Sequence, residues 1–232
     1  MNQYCEYPLF QEMSEAIRKV IDSANISENL KQLFEAKTLL ETEKHEPIEG
    51  VELIPDILQS IHQRKKIIVE YQRFDRDKIK THEFKPVLLK EDKQMWYIVG
   101  KNVKYDSLMT LALDRIVSLI VTEHIFEPIE FNSEEHFKYS FGITVPEEEP
   151  IDVIISFTPE QGNYLRTLPI HSTQQIIVDD ENEFKIRVKV IPSYEFYSKI
   201  RSYGEQAKII SPESLINVIQ SSFSKALSRY KS

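Results

Sequence analysis

The sequence predicts an α+β chain in three parts: a helical N-terminal segment, a small antiparallel β-barrel, and a βαββαβ sandwich of the ferredoxin-like kind. Three observations carry this reading. The apolar period changes from 3.6 to 2 at Ile67. Five short β-prone runs follow within about 60 residues, with no helical pattern between them. After Pro150, strand and helix patterns alternate regularly. The boundaries fall at residues 1–64, 65–127, a connection over 128–150, and 151–232.

In the first part, Met13, Ile17, Val20, Ile21 and Ala24 share one helical face and predict a helix over residues 13–24. Leu30, Leu33, Phe34 and Leu40 predict a second helix after Ser27, which serves as its N-cap. Residues 42–50 have loop composition. A third helix follows, with Pro55 in its first turn and Ile57, Leu58 and Ile61 inside. Residues 1–60 hold 5 Lys and Arg against 12 Asp and Glu, so none of these helices reads as a DNA recognition helix.

In the barrel segment, Ile67, Val69 and Tyr71 alternate with Ile68, Glu70 and Gln72 until a turn around Asp75–Lys78. Residues 81–90 resume as a strand in which Pro86 marks an edge or a bulge. Met95–Val99 is a β-prone run closed by Gly100, and Leu108–Leu113 and Ile116–Phe126 flank Asp114-Arg115. The connection over 127–150 is rich in proline and carboxylates, but Phe131, Phe137, Tyr139 and Phe141 predict that part of it packs. Beyond it come a strand at Ile151–Phe157, a helix at Pro159–Leu168, and strands at Gln174–Val178 and Phe184–Val190. A helix at Tyr194–Tyr203 ends near Gly204, followed by a strand at Ala207–Ile210 and a helix at Glu213–Tyr230.

Composition excludes several classes. Of 232 residues, 41% are hydrophobic and 28% charged, an ordinary globular balance. No apolar run reaches the ~20 residues a membrane helix needs. The first residues lack the basic and apolar regions of a signal peptide, and Cys5 alone rules out a disulfide framework or a multi-cysteine zinc site. The chain therefore reads as a soluble cytoplasmic protein. Five glycines against 11 prolines speak against glycine-rich nucleotide loops. The net charge of −8 conceals a basic block over residues 61–90, with nine Lys and Arg against four Asp and Glu. That block suits a small anion, although a solvated strand and turn is its ordinary explanation.

The catalytic signals are absent. The six histidines, His45, His62, His82, His124, His136 and His171, make no i,i+3 or i,i+4 pair, so no metal site is expected. Glu147-Glu148-Glu149 reads as a solvated acidic stretch, and no nucleophile elbow, P-loop or dinucleotide fingerprint is present. Neither an enzyme nor a cofactor is predicted. Trp96-Tyr97 is more informative, because strand alternation sends its two rings to opposite faces. Arg115 follows an apolar strand end, where a guanidinium needs a carboxylate such as Asp114 or a ligand phosphate. An arginine on a barrel rim beside an aromatic and a basic strand makes a phosphate-and-base site.

Trp96-Tyr97-Ile98 followed by Leu111-Ala112-Leu113-Asp114-Arg115-Ile116 resembles the WYL domain of bacterial transcriptional regulators, with Ile98 in place of the eponymous leucine. Tyr71, Phe84-Lys85-Pro86 and Leu88-Leu89-Lys90 extend the resemblance. Phe141-Gly142-Ile143, Pro169-Ile170-His171-Ser172-Thr173-Gln174 and Tyr203-Gly204 resemble the extension that follows such domains. The resemblance spans roughly residues 52–232. It implies an Sm-like, SH3-type barrel and a sensor of nucleotide-like or single-stranded nucleic-acid effectors. Carried over by position, Arg115 contacts phosphate, Trp96 and Tyr97 shape the pocket, and Tyr71 flanks it. Arg73, Lys85 and Lys90 join them from the basic block. His171 and Gln174 match a family motif to which the sequence assigns no role.

The resemblance further implies a homodimer that meets DNA only through an attached or partner DNA-binding domain. Met109 and Met95 stand where family members often carry basic residues. That departure favours the alternative, a non-catalytic protein-interaction adaptor with a vestigial pocket.

Overall fold

The structure, a computed structural model, describes residues 49–74 and 78–231. The helices predicted over residues 13–24 and after Ser27, the loop before residue 49, Cys5, and most of the turn at 75–78 lie outside the described residues. The chain divides between Ile129 and Glu130 into two compact units.

The first unit enters its core at Gly50, whose φ of 87° precedes a 3-10 turn at Val51–Leu53. A Cβ at Gly50 would sit 2.5 Å from the Leu113 carbonyl, so only glycine fits both the backbone and the contact. Helix α1 (Ile54–Gln63) starts with Pro55 in its first turn, as predicted, and buries Ile54 and Ile57. Arg64, at φ 54°, ends the helix and turns the chain into β1 (Lys65–Tyr71). There follow β2 (Lys80–Asp92), β3 (Met95–Asn102) and β4 (Leu108–Ala112). A 3-10 turn at Leu113–Arg115 leads into β5 (Ile116–Ile125).

The strands form one antiparallel sheet in the order β4-β3-β2-β1-β5. No ladder joins β4 to β5 among the described residues, so the predicted barrel is not closed. The inner face is instead covered by α1. Val51, Ile54 and Ile57 share one core with Ile67, Val69, Phe84, Ile98, Leu111 and Leu113. Pro86 sits at a bulge, as anticipated: the β1–β2 ladder ends at Phe84, and beyond it β2 pairs with β3 alone. Gly100 does not close β3, which continues to Asn102. A Cβ at Gly100 would lie 2.3 Å from the Lys85 carbonyl oxygen, so the glycine admits a close strand approach.

In the second unit, Asn132 caps the short helix α2 (Ser133–Phe137) by accepting the Glu135 N–H. The Tyr139 carbonyl accepts the Ile191 N–H and Phe141 enters the core, so the predicted packing of this connection is found. The elements then run β6 (Ile151–Phe157), α3 (Pro159–Thr167), β7 (Gln175–Asp179), β8 (Phe184–Val190), α4 (Tyr194–Ser202), β9 (Ala207–Ser211) and α5 (Glu213–Ser228). Thr158 and Ser193 cap α3 and α4 through their hydroxyls. The sheet is antiparallel, in the order β7-β8-β6-β9. In β8, Phe184, Ile186, Val188 and Val190 are buried while Lys185, Arg187 and Lys189 alternate with them. No helix among the described residues is long and apolar enough to cross a membrane.

Candidate ligand-binding site

Along β1, the inward set Ile67, Val69, Tyr71 faces Phe84, His82 and Lys80 of β2 in register. On β3, Asn102 lies beside Phe84, and Gly100 and Ile98 face Met109 and Leu111 of β4. The inner face is thus apolar at one end and becomes polar at the other, where Lys80, His82 and Asn102 continue the same rows. Beyond the core, a concavity of about 710 Å³ opens on this polar end. It is lined by Tyr71, Arg73, Lys80, His82, Asn102, Lys104, Tyr105, Met109 and Arg115, among others. This volume lies within the range of small-molecule sites.

Four of these residues are cations, Arg73, Lys80, Lys104 and Arg115, and Glu83 is the single lining carboxylate. The Glu83 carboxylate is bonded to Lys66 at 2.9 Å, which offsets its charge at the rim. Arg115 is set by the 3-10 turn that ends β4, whose carbonyl accepts the Gln72 N–H at 3.0 Å. Its guanidinium lies 4.6 Å from the centre of the Phe74 ring, a cation–π distance. Asp114, the carboxylate that the sequence offers as its partner, is 3.6 Å from Nε, too long for a hydrogen bond. Arg115 Nε is buried and makes no hydrogen bond among the described residues. Phe74 itself is 81% exposed, an aromatic face held at the site by a cation rather than by the core.

Tyr71 forms part of the wall and is tied into it. Its hydroxyl accepts the Ala112 N–H at 3.3 Å, and the side chain is 7% exposed. His82 is held at its Nδ1 by the Asn102 side-chain amide, 3.2 Å away. Burial, with Lys80 as the second cause, pushes the His82 imidazole below the ordinary histidine value.

The seven predicted site residues separate into two groups. Tyr71, Arg73 and Arg115 line the concavity together. Trp96, Tyr97, Lys85 and Lys90 do not line it. Trp96 is partly buried and packs against the first unit's core. Tyr97 pairs with Lys90 across β2 and β3 on alternate positions, the face opposite Ile98. Lys85 likewise alternates with the buried Phe84. Sequence reasoning missed Lys80, His82, Asn102, Lys104 and Tyr105. The available signal was the hairpin register, which sets His82 across from Val69 and Lys80 across from Tyr71.

In the second unit, His171 and Gln174 have structural partners. The Ser140 carbonyl lies 3.1 Å from His171 Nε2 and can only accept, so that nitrogen carries the proton. Nδ1 accepts the Thr173 N–H at 3.2 Å, and the ring stacks on Phe141 at 5.7 Å. Gln174 caps the end of α3, donating to the Leu165 carbonyl and accepting the Ile170 N–H, both at 3.0 Å. Among the described residues no group of three or more His, Cys, Asp or Glu is placed to hold a metal ion.

Residues 52–121 match the family model of the WYL domain, and residues 149–227 that of the WCX domain. No curated protein matches the chain. Among solved structures it is similar to proteasome accessory factor B/C (PafBC) of Arthrobacter aurescens, with 17% identity and a TM-score of 0.38 over 79% of this chain and 28% of that one. It is also similar to a crystal structure of a CRISPR Cas-related protein, with 11% identity and a TM-score of 0.47 over 77% of this chain and 51% of that one. The chain therefore spans between 28% and 51% of the length of these solved relatives.

Proposed function

The chain is a WYL-domain protein with a WCX extension, and from that premise we propose that it is the ligand-sensing and dimerising part of a bacterial-type transcriptional regulator. Its effector is a nucleotide or a single-stranded nucleic acid, seated in the concavity of the WYL unit. The observation that carries this reading is Arg115: a buried Nε without a hydrogen-bond partner among the described residues, beside an exposed aromatic ring and three further cations. Arg115 supplies the phosphate contact, Phe74 and Tyr105 offer ring faces to a base, and Tyr71 and Arg73 complete the wall. Trp96 supports this site from within the core. Tyr97, Lys85 and Lys90, on the sheet's other face, extend a basic track along which a longer strand continues. The second unit is the ferredoxin-like extension. Ligand binding shifts the arrangement of a homodimer, which an attached or partner DNA-binding domain reads out. A strict monomer by light scattering at every concentration would remove the dimer from this account.

The test is fluorescence anisotropy with short labelled single-stranded DNA and RNA, with duplex DNA as the control, at two salt concentrations. Wild type binds the single strands in a salt-sensitive way, and Arg115→Ala weakens binding by about 1–3 kcal/mol. Met109 in the lining, where a basic residue would strengthen anion binding, favours the second reading, a protein-interaction adaptor. Arg115→Ala indistinguishable from wild type would move the assignment there.

A further inference from the structure

Asn102 is 1% exposed, and its side chain has every polar atom assigned. Its Oδ1 accepts the N–H groups of Lys104 at 3.0 Å and Tyr105 at 3.1 Å, the start of the loop between β3 and β4. Only an oxygen can accept those two donors, so the amide orientation is fixed. Nδ2 is therefore the atom that faces His82 Nδ1 at 3.2 Å, and an amide nitrogen only donates. His82 Nδ1 must accept, and the proton of the neutral ring must sit on Nε2. Nε2 makes no hydrogen bond among the described residues, although the side chain lines the concavity.

We propose that His82 is a specificity-determining contact that presents a fixed Nε2–H donor to an anionic phosphate-type oxygen, and that Asn102 is the positioning residue that sets its tautomer and joins it to the Lys104–Tyr105 loop. This rests on the reading of the concavity as a site for a phosphate-bearing ligand. The arrangement resists protonation of the ring. A proton on Nδ1 would face the Asn102 NH₂, and turning that amide would strip the acceptor from the Lys104 and Tyr105 N–H groups. The surrounding charges act in the same direction: Arg73, Lys80, Lys104 and Arg115 line the same concavity, with Tyr71, Tyr105 and the Lys66-paired Glu83 as its other titratable groups. The depressed His82 pKa, caused first by burial and then by Lys80, agrees with a neutral ring. His82 thus works as an uncharged donor, where an ordinary histidine would gain charge on acidification.

The experiment uses the full chain and has two arms. In the first, ¹⁵N imidazole spectra without ligand report the tautomer and titration of His82 in wild type and in Asn102→Asp. Aspartate keeps an acceptor for the loop but also accepts from Nδ1. Wild type shows the Nε2–H form titrating below 6.5; Asn102→Asp shifts the proton to Nδ1 and titrates higher. A wild-type proton on Nδ1 overturns the proposal. In the second arm the probes are a labelled 12-nucleotide oligothymidylate and inorganic pyrophosphate. His82→Phe lowers affinity about tenfold, and His82→Gln, which keeps an amide donor, recovers part of it. Binding weakened by Arg115→Ala but unchanged in His82→Phe overturns this inference and leaves the site reading standing. If pyrophosphate moves the His82 signals while the oligonucleotide does not bind, the donor stands and the strand reading fails. If neither probe binds, both fail.

Discussion

Arg115 and His171 are both half-sequestered side chains with a carbonyl or carboxylate nearby, yet the structure uses them differently. Arg115 keeps a buried Nε without a hydrogen bond among the described residues, a group that gains when an acceptor arrives. His171 has both ring nitrogens occupied, by the Ser140 carbonyl and the Thr173 N–H, so it is a tie and not a ligand contact. Burial pushes its pKa below the ordinary value, against the opposing pull of the Ser140 bond. A group with a depressed folded pKa binds protons more readily when unfolded. The stability it lends is therefore complete above about 6.5 and is lost as the pH falls through the folded value. Urea unfolding of wild type should show a midpoint that declines between pH 7.5 and 5, with a shallower decline in His171→Gln. His136, whose pKa burial also depresses, remains in both proteins and cancels in the comparison. Equal slopes would show that His171 titrates in the fold as it does in the open chain.

The elements were the most legible part of the sequence, because a strand or a helix is written in a local period. Ile67, Val69 and Tyr71 alternate visibly, and β8 reads apolar-in, charged-out along its whole length. What was not legible depends on contacts distant in sequence. Barrel closure needs a ladder between β4 and β5 that no local pattern encodes, and α1 covers the inner face instead. The fate of Gly100 was misread for the same reason: a glycine that looks like a strand end is a place where Lys85 comes close. Arg115 and Tyr71, which line the concavity, have informative neighbours in sequence, whereas His82 and Asn102 meet only through the hairpin register. Gly162 tests the element scale directly. It lies in α3, and a Cβ there would sit 2.6 Å from Cγ of the fully buried Phe184. Alanine gains about 1 kcal/mol in helix propensity. Overpacking a buried ring costs about 1–3 kcal/mol, so the steric term wins in all but the mildest case. Gly162→Ala should destabilise the second unit by up to about 2 kcal/mol in urea unfolding, and a stabilised variant would mean that α3 shifts freely on β8.

Two units, each with its own core, share one chain of net charge −8, and that charge limits what the molecule can bind as a whole. A net negative charge opposes nonspecific binding to a duplex, which draws its affinity from many neutralised phosphates. The cations of the concavity are few and convergent: Arg73, Lys80, Lys104 and Arg115, opposed by a single lining carboxylate. A strand short enough to end within the concavity would meet these four cations alone. For single strands the logarithm of the binding constant falls with the logarithm of salt at about −0.7 per neutralised phosphate, so four contacts give a slope of about −3. Removing one cation removes one contact. Lys104→Ala should therefore bring the slope to about −2 and lower affinity at every salt concentration, whatever the base sequence of the strand. Glu91→Gln, on the far portion of β2 outside the concavity, should leave the slope where it was. A slope near −6 or steeper would mean that the strand follows a basic track well beyond the concavity. A slope near zero would mean that stacking on Phe74 and Tyr105, rather than charge, holds whatever binds there.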